Sequence, residues 1–360
     1  MRIPSKLLIA TAMSVCLMSQ ARGAEITFKE LKVPAPFDAP ASTSDGKLRG
    51  ISGMACLGMA ADPSRLCFVI NDEERFGQFA ELTPNTLSPL AQKITLIDDD
   101  EDGHEVLGKQ RIASCPKGES KGQFEEFDGE GVAYAENSMF VSSSHSCNGK
   151  GKYKASSFLL ARFSTTSGEK LNDPAKVEKT WRLADALALS DVGKDFGKAK
   201  TVGTNIEGIA VAGGNVYAGL RTPADEGVAY IVYASIKALF APGNVALPKG
   251  TSHTIKVALG GDSGIRDLSA LDDKRLLILS GPTIDQASVP YSISLLDDLS
   301  SEGVNKAKPL LQLPSVAIGD TIGKAETLTL LSNDASGIDI LVLYDNIDDG
   351  KPRLFHLDPQ

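Results

Sequence analysis

The chain has 360 residues with 46 acidic and 37 basic side chains, a formal charge of −9. That negative balance, with no basic patch to offset it, argues against a nucleic-acid partner, because phosphates would be repelled. Few long helical periodicities and many short apolar runs leave either two ordinary domains or one large all-β domain.

At the N-terminus, Arg2 and Lys6 precede an apolar run over residues 7–18, and small residues follow in SQARGA. This pattern predicts a signal peptide over residues 1–24, cut between Ala21 and Ala24. Removing it takes away Arg2 and Lys6, and Arg22 as well for the later cuts, so −9 becomes −11 or −12. The apolar run is well short of the roughly 20 residues that cross a bilayer, so no membrane span is expected. Val15 stands where a lipoprotein signal needs a small residue before Cys16. The expectation is a periplasmic or secreted bacterial protein that acts as a monomer. Four cysteines then remain, Cys56, Cys67, Cys115 and Cys147, and three disulfide pairings are formally possible. Pairing of neighbours, Cys56 with Cys67 and Cys115 with Cys147, is favoured: the first staples adjacent strands and the second ties a long insertion to the next repeat. Zinc is the competing use of these thiols, although no Cys-x-x-Cys or histidine cluster accompanies them.

Residues 26–33 (ITFKELKV) alternate apolar and polar side chains and predict a lone strand, followed by a Pro/Ser/Asp-rich connection. Segments 48–56, 66–71, 78–82 and 91–97 then read as a four-stranded meander. After the acidic stretch 98–122, a hairpin opens at Asp128 (DGEGVAYAENSMFVSSSHS), with further strands at 156–163 and 176–181. An amphipathic run over 183–192 predicts a short helix. The next hairpin, NIEGIAVAGGNVYAGLRTP over 205–223, turns at Gly213-Gly214-Asn215 and continues through 227–233 and 253–259. A fourth, GIRDLSALDDKRLLILS over 264–280, continues through 291–296 and 309–313. The fifth, KAETLTLLSNDASGIDILVLYD over 324–345, is followed by 353–357.

The hairpins align at Ser52, Glu130, Glu207, Arg266 and Glu326, spaced by just under 60 to just under 80 residues. A propeller blade of four strands takes roughly 40 to 50 residues, so the surplus belongs in loops. The repeats predict one all-β domain over 25–360, a five-bladed β-propeller in which strand 26–33 completes the last sheet and removes an open edge. Six blades result if 98–127 hides a degenerate one. The first strand of each blade lies nearest the axis, so the residues at its start converge on one mouth of the channel.

The ordered combination EGVAYAENSMFVSSSHS, NIEGIAVAGGNVYAGLRTP, GIRDLSALDDKRLLILSGP and KAETL with LVLYD resembles the bacterial domain-of-unknown-function family 3616, over nearly all of the mature chain. Membership implies a secreted β-propeller-like protein and supplies no reaction. The Glu-Gly strand openings are more distantly similar to those of phytase-like, lactonase and paraoxonase propellers, whose acidic and amide ring implies calcium. This chain differs from them in placing Arg266 in the ring.

Three glutamates converging on one mouth cannot all be ionised unpaired; they need a raised pKa or a cation. The expected metal set is Glu130, Glu207, Glu326 and Asp267. Arg221, Arg266 and Lys324 are the expected ligand-binding cations, with Asp72 and Asp345 at the ends of the paired second strands. His145, within SSSHSC, is the expected proton carrier, with Glu130 and Glu207 as its catalytic partners. Asp98–Asp102 alternates acids as a calcium loop does, but Lys109 occupies the twelfth position, where an EF-hand needs glutamate. GDSG at 261–264 lacks the rest of a serine-protease triad and reads as a turn, and NGKGK at 148–152 reads as a basic loop. Two functions follow: a metal-assisted hydrolase of small phosphate esters or lactones acting on an anionic or ester ligand, or a non-catalytic envelope propeller that binds a protein and whose ring is a salt network.

Overall fold

The turn residues of the third repeat show how each blade begins. Gly213 and Gly214 take φ values of 54° and 75°, a left-handed pair that glycine adopts without a Cβ penalty. They fold Asn205–Ala212 back on Asn215–Thr222, and the first of these strands is buried along its whole length. Four more hairpins repeat this arrangement: Ile51–Cys56 with Arg65–Asn71, Gly129–Ala135 with Ser138–Ser143, Ser263–Ala270 with Leu276–Pro282, and Lys324–Asp334 with Gly337–Asp345. Further antiparallel strands extend each hairpin outward, which gives five separate sheets. The first strands touch in sequence order and the fifth returns to the first, closing a ring. The computed structural model, which describes residues 27–38, 44–47, 49–58, 62–165, 176–284, 286 and 288–359, is therefore a five-bladed β-propeller. The leader read over residues 1–24 lies outside the described residues.

The ring is closed as the lone N-terminal strand suggests. Phe28–Glu30 pairs antiparallel with Arg353–Leu357 and supplies the outermost strand of the last blade. The six-blade alternative fails, because residues 98–127 form no strand. They make an extended loop instead, fastened by the Cys115–Cys147 disulfide and by single bridges from Leu107 to Thr180 and from Glu119 to Tyr153. Cys56 and Cys67 also pair, as directly opposed residues of the first hairpin, so the thiols are not a zinc site.

Three local features depart from the sequence reading. The segment expected as strand from 156 begins with the 3-10 turn Ala155–Phe158, and only Leu160–Ser164 is strand. A short strand, Val304–Lys306, leaves the fourth blade and pairs in parallel with the edge of the third. A two-stranded flap, Ala317–Ile318 with Thr321–Ile322, precedes the fifth blade. The expected helix is present as Arg182–Leu189, and the Arg182 guanidinium anchors it by donating to the carbonyls of Leu239, Ala241, Gly243 and Val245. Between blades the core is apolar; Phe68, for example, packs on Phe79 within its blade and on Phe163 of the next, with ring centres 5.0 and 5.1 Å apart. Among the described residues no helix is long and apolar enough to cross a membrane.

Candidate functional site

The residue that heads each repeat is the extra residue of a β-bulge. Pairing steps from Ile51↔Asn71 to Gly53↔Ile70, and likewise around Glu130, Glu207, Arg266 and Glu326 in the other blades. Ser52 and these four residues therefore have no partner across the hairpin. A bulge bends its strand and re-aims the side chain it carries, and here five such side chains are gathered at one level of the channel. All five are at most 7% exposed.

The glycine that follows the ring residue has a separate task. A Cβ on Gly131 would lie 2.6 Å from the Ile209 nitrogen, and one on Gly208 would lie 2.4 Å from the Asp267 Cα. Glycine thus lets adjacent first strands come into contact, and the Glu-Gly motif pairs a channel side chain with a packing requirement. Asp267 occupies this second position in the fourth blade. Its carboxylate accepts from the amides of Leu268 and Leu328 at 2.8 and 2.6 Å, which fastens the fourth blade to the fifth. The structure does not bring Asp267 into the glutamate cluster.

Glu130, Glu207 and Glu326 do meet, each offering an oxygen within 4.8 Å of the others. Arg266 enters the same space: its Nη1 lies 2.7 Å from Glu207 Oε2 and its Nη2 lies 3.2 Å from Glu326 Oε1. Glu207 Oε1 also receives Asn205 Nδ2 at 2.6 Å and faces Arg221 Nη1 at 3.1 Å. Glu130 has a longer ion pair, with Lys200 Nζ at 3.7 Å.

These surroundings divide the three acids. Burial pushes every one of them up. For Glu207 the opposing fields of Arg221, Arg266 and Lys200 and the Asn205 hydrogen bond prevail, and its carboxyl stays below the usual range. Burial and the neighbouring Glu207 hold Glu130 well above it. Burial raises Glu326 to about 8, with Arg266 opposing and Glu207 and Asp345 adding. Closer to the surface, burial together with Asp128 and Asp345 lifts Asp72 to about 7 against the pull of Lys200. Burial would discharge Lys200, but the field of Glu130, Asp128 and Glu207 overrides it and keeps the ammonium charged.

The donor set suits a hard cation. Three carboxylates face one another, and Asn205 Oδ1 is a buried oxygen with no hydrogen-bond partner among the described residues. Oxygen ligands of this kind are those that calcium takes.

The other expected site residues divide in the same way. Arg221 and Arg266 join the cluster, and Lys324 stands at the start of its strand opposite Asp345. His145 does not join it. Its ring is fully buried in edge contact with Phe158, Nδ1 meets the Ser143 carbonyl at 2.9 Å, and Nε2 has no partner among the described residues. Burial lowers its pKa to about 4, so it is neutral at ordinary pH. Lys200 was not foreseen, since no motif surrounds it. Thr222, at the end of the third hairpin, holds its loop by donating to the carbonyls of Lys200 and Gly203.

The family model described as Protein of unknown function (DUF3616) matches residues 176–354. Those residues belong to the DUF3616 family. The DUF3616 match takes in Glu207, Arg221, Arg266, Lys324 and Glu326, while Glu130 and His145 precede it, so it is narrower than the likeness read along the whole chain. No curated protein matches the chain. Among solved structures, Xyloglucan PUL GH43B of Bacteroides ovatus is similar at 8% identity and a TM-score of 0.43, covering 86% of this chain and 52% of its own. The chain thus spans about half the length of that protein. The catalytic domain of Coprinopsis cinerea GH62 alpha-L-arabinofuranosidase gives 9% identity and a TM-score of 0.42, covering 92% and 97%. The Neurospora crassa Pan2 WD40 domain gives 10% and 0.31, covering 86% and 80%. These are distant resemblances, and the fold rests on the sheet topology itself.

Proposed function

We propose that this DUF3616 propeller is an exported, metal-assisted hydrolase of small phosphate esters or lactones, working at the channel mouth with calcium held by Glu130, Glu207 and Glu326. The convergence of three buried carboxylates within 4.8 Å of one another carries this reading. A location in the periplasm or outside the cell accords with the two disulfides. A bound calcium ion would supply positive charge against the ester oxygen. Lys200 and Arg221, partly exposed above the glutamates, bind the anionic oxygens of the ligand.

His145 is buried away from the cluster, so the proton is assigned to Asp72. A carboxyl with a pKa near 7 is matched to accepting and returning a proton at neutral pH. Water adds to the phosphoryl or acyl centre, its proton passes to the Asp72 carboxylate, and the same proton leaves with the departing oxygen. The test is a panel of phosphomonoesters and lactones assayed with calcium. Turnover should climb with rising pH as Asp72 loses its proton, and Asp72→Asn should lose about a hundredfold with unchanged Tm. No turnover on any member, or full turnover by Asp72→Asn, refutes the catalytic reading.

A second reading rests on Arg266. As a resident cation bonded to both Glu207 and Glu326, it supports a non-catalytic envelope-binding propeller whose ring is a salt network.

A further inference from the structure

Beside the cluster, between the fourth and fifth blades, lies a pocket of about 580 Å³. Its walls are largely apolar, including Val289, Pro290, Leu313, Val316 and Ile322. Two of its lining residues point back to the glutamates. The Tyr291 hydroxyl accepts from Arg266 Nη2 at 3.3 Å, and that guanidinium bridges Glu207 and Glu326. Lys324 lines the pocket as well, two residues before Glu326 on the same strand. Gln286 Oε1 is buried there without a partner among the described residues. Ile322, on the flap that precedes the fifth blade, is 57% exposed at the pocket's edge.

We infer that this pocket holds the apolar body of an amphipathic anion, an aryl phosphate, whose charged head points toward Lys324 and the Tyr291–Arg266 pair. The inference rests on the channel-mouth reading above and narrows its ligand to one class. The volume lies within the range that encloses a small organic ligand, and few polar groups set among apolar walls are how such sites fix orientation. The aryl group explains the apolar walls and the exposed isoleucine, which simple phosphate would leave unused, while Lys324 and the Tyr291 hydroxyl line the end that the anionic head would face. Tyr291 is a positioning residue here, linking an occupant of the pocket to Arg266.

The test compares phenylphosphonate with methylphosphonate, which share a head group and resist hydrolysis, by isothermal titration calorimetry with calcium at pH 8. Burial of the ring should make phenylphosphonate bind at least about tenfold more tightly. In the Val289→Ser/Ile322→Ser variant this advantage should fall below about threefold, with methylphosphonate affinity unchanged, as expected when two apolar contacts are removed. Ile322→Ser alone, at an exposed position, should shift the ratio in the same direction and serves if the double variant melts early. Equal affinities in the wild type, or an advantage that survives in the variant, would overturn the pocket assignment while leaving the mouth reading intact. If neither phosphonate binds, the anion-binding reading of the mouth falls and the pocket assignment falls with it.

Discussion

Arg266 and Glu207 face each other from adjacent blades with Nη1 2.7 Å from Oε2, and each is the bulged residue of its strand. Both side chains are 2% exposed. Removing one partner of a buried pair is therefore costly. Arg266→Met should destabilise the fold by about 3–5 kcal/mol by leaving Glu207 and Glu326 without their common cation. Adding Glu207→Gln to it should recover part of the loss, a non-additivity that a double-mutant cycle read by urea unfolding measures. Additive losses would mean that the two residues do not depend on each other.

The packing role of the motif glycine has its own test. Gly208→Ala places a Cβ 2.4 Å from the Asp267 Cα, and overpacking against backbone should cost about 1–3 kcal/mol or more. Gly149→Ala, where a Cβ meets nothing within 4 Å, is the control and should leave Tm nearly unchanged.

Two buried groups tilt the dependence of stability on pH in opposite directions. Glu326 is raised from 4.5 to about 8 in the folded state, so its contribution is complete below the unfolded value and is lost as pH rises through about 8. His145 is lowered from 6.5 to about 4, so its contribution is present above 6.5 and is lost as pH falls toward 4. Without calcium, Glu326→Gln should flatten the alkaline limb of a Tm–pH curve and His145→Gln the acid limb. A variant that keeps the wild-type slope in its own window would show that the residue does not titrate as its surroundings dictate.

The Cys115–Cys147 disulfide holds the loop over 98–127 against the second blade, across a separation of 32 residues. Cys115→Ser/Cys147→Ser should lower stability by about 3–4 kcal/mol by the loop-closure argument. Limited proteolysis should then cut first within that loop. Cutting elsewhere would show that the loop is held by other contacts.

The fold was legible because a propeller repeats its instruction. Each hairpin carries the same head position ahead of paired apolar strands, and five copies at Ser52, Glu130, Glu207, Arg266 and Glu326 outweigh any single ambiguous strand. The boundary error after residue 155 arose because the buried 3-10 turn ASSF runs into the strand Leu160–Ser164 with no glycine or proline to mark the change. The site was legible where it lies on the repeat, as Glu130, Glu207, Arg221, Arg266 and Glu326 do. It was not legible at Lys200, which reaches Glu130 from a loop outside the repeat, nor at His145, whose polar SSSHSC context concealed a backbone turn with φ of 50° that carries the ring against Phe158. Asp267 shows the limit of position alone: one step along the strand exchanges the channel for a neighbouring blade.

Whether the glutamate cluster takes up a metal ion is measured most directly by calcium calorimetry at pH 7 in two buffers of different ionisation enthalpy, on wild type and Glu326→Gln. Because Glu130 and Glu326 are held above the usual carboxylate range, uptake should occur at one calcium per chain with proton release. It should be lost in the variant, whose fold persists. No calcium uptake by the wild type, with Tm the same in calcium and in chelator, would contradict the account and leave the ring as a salt network closed by Arg266.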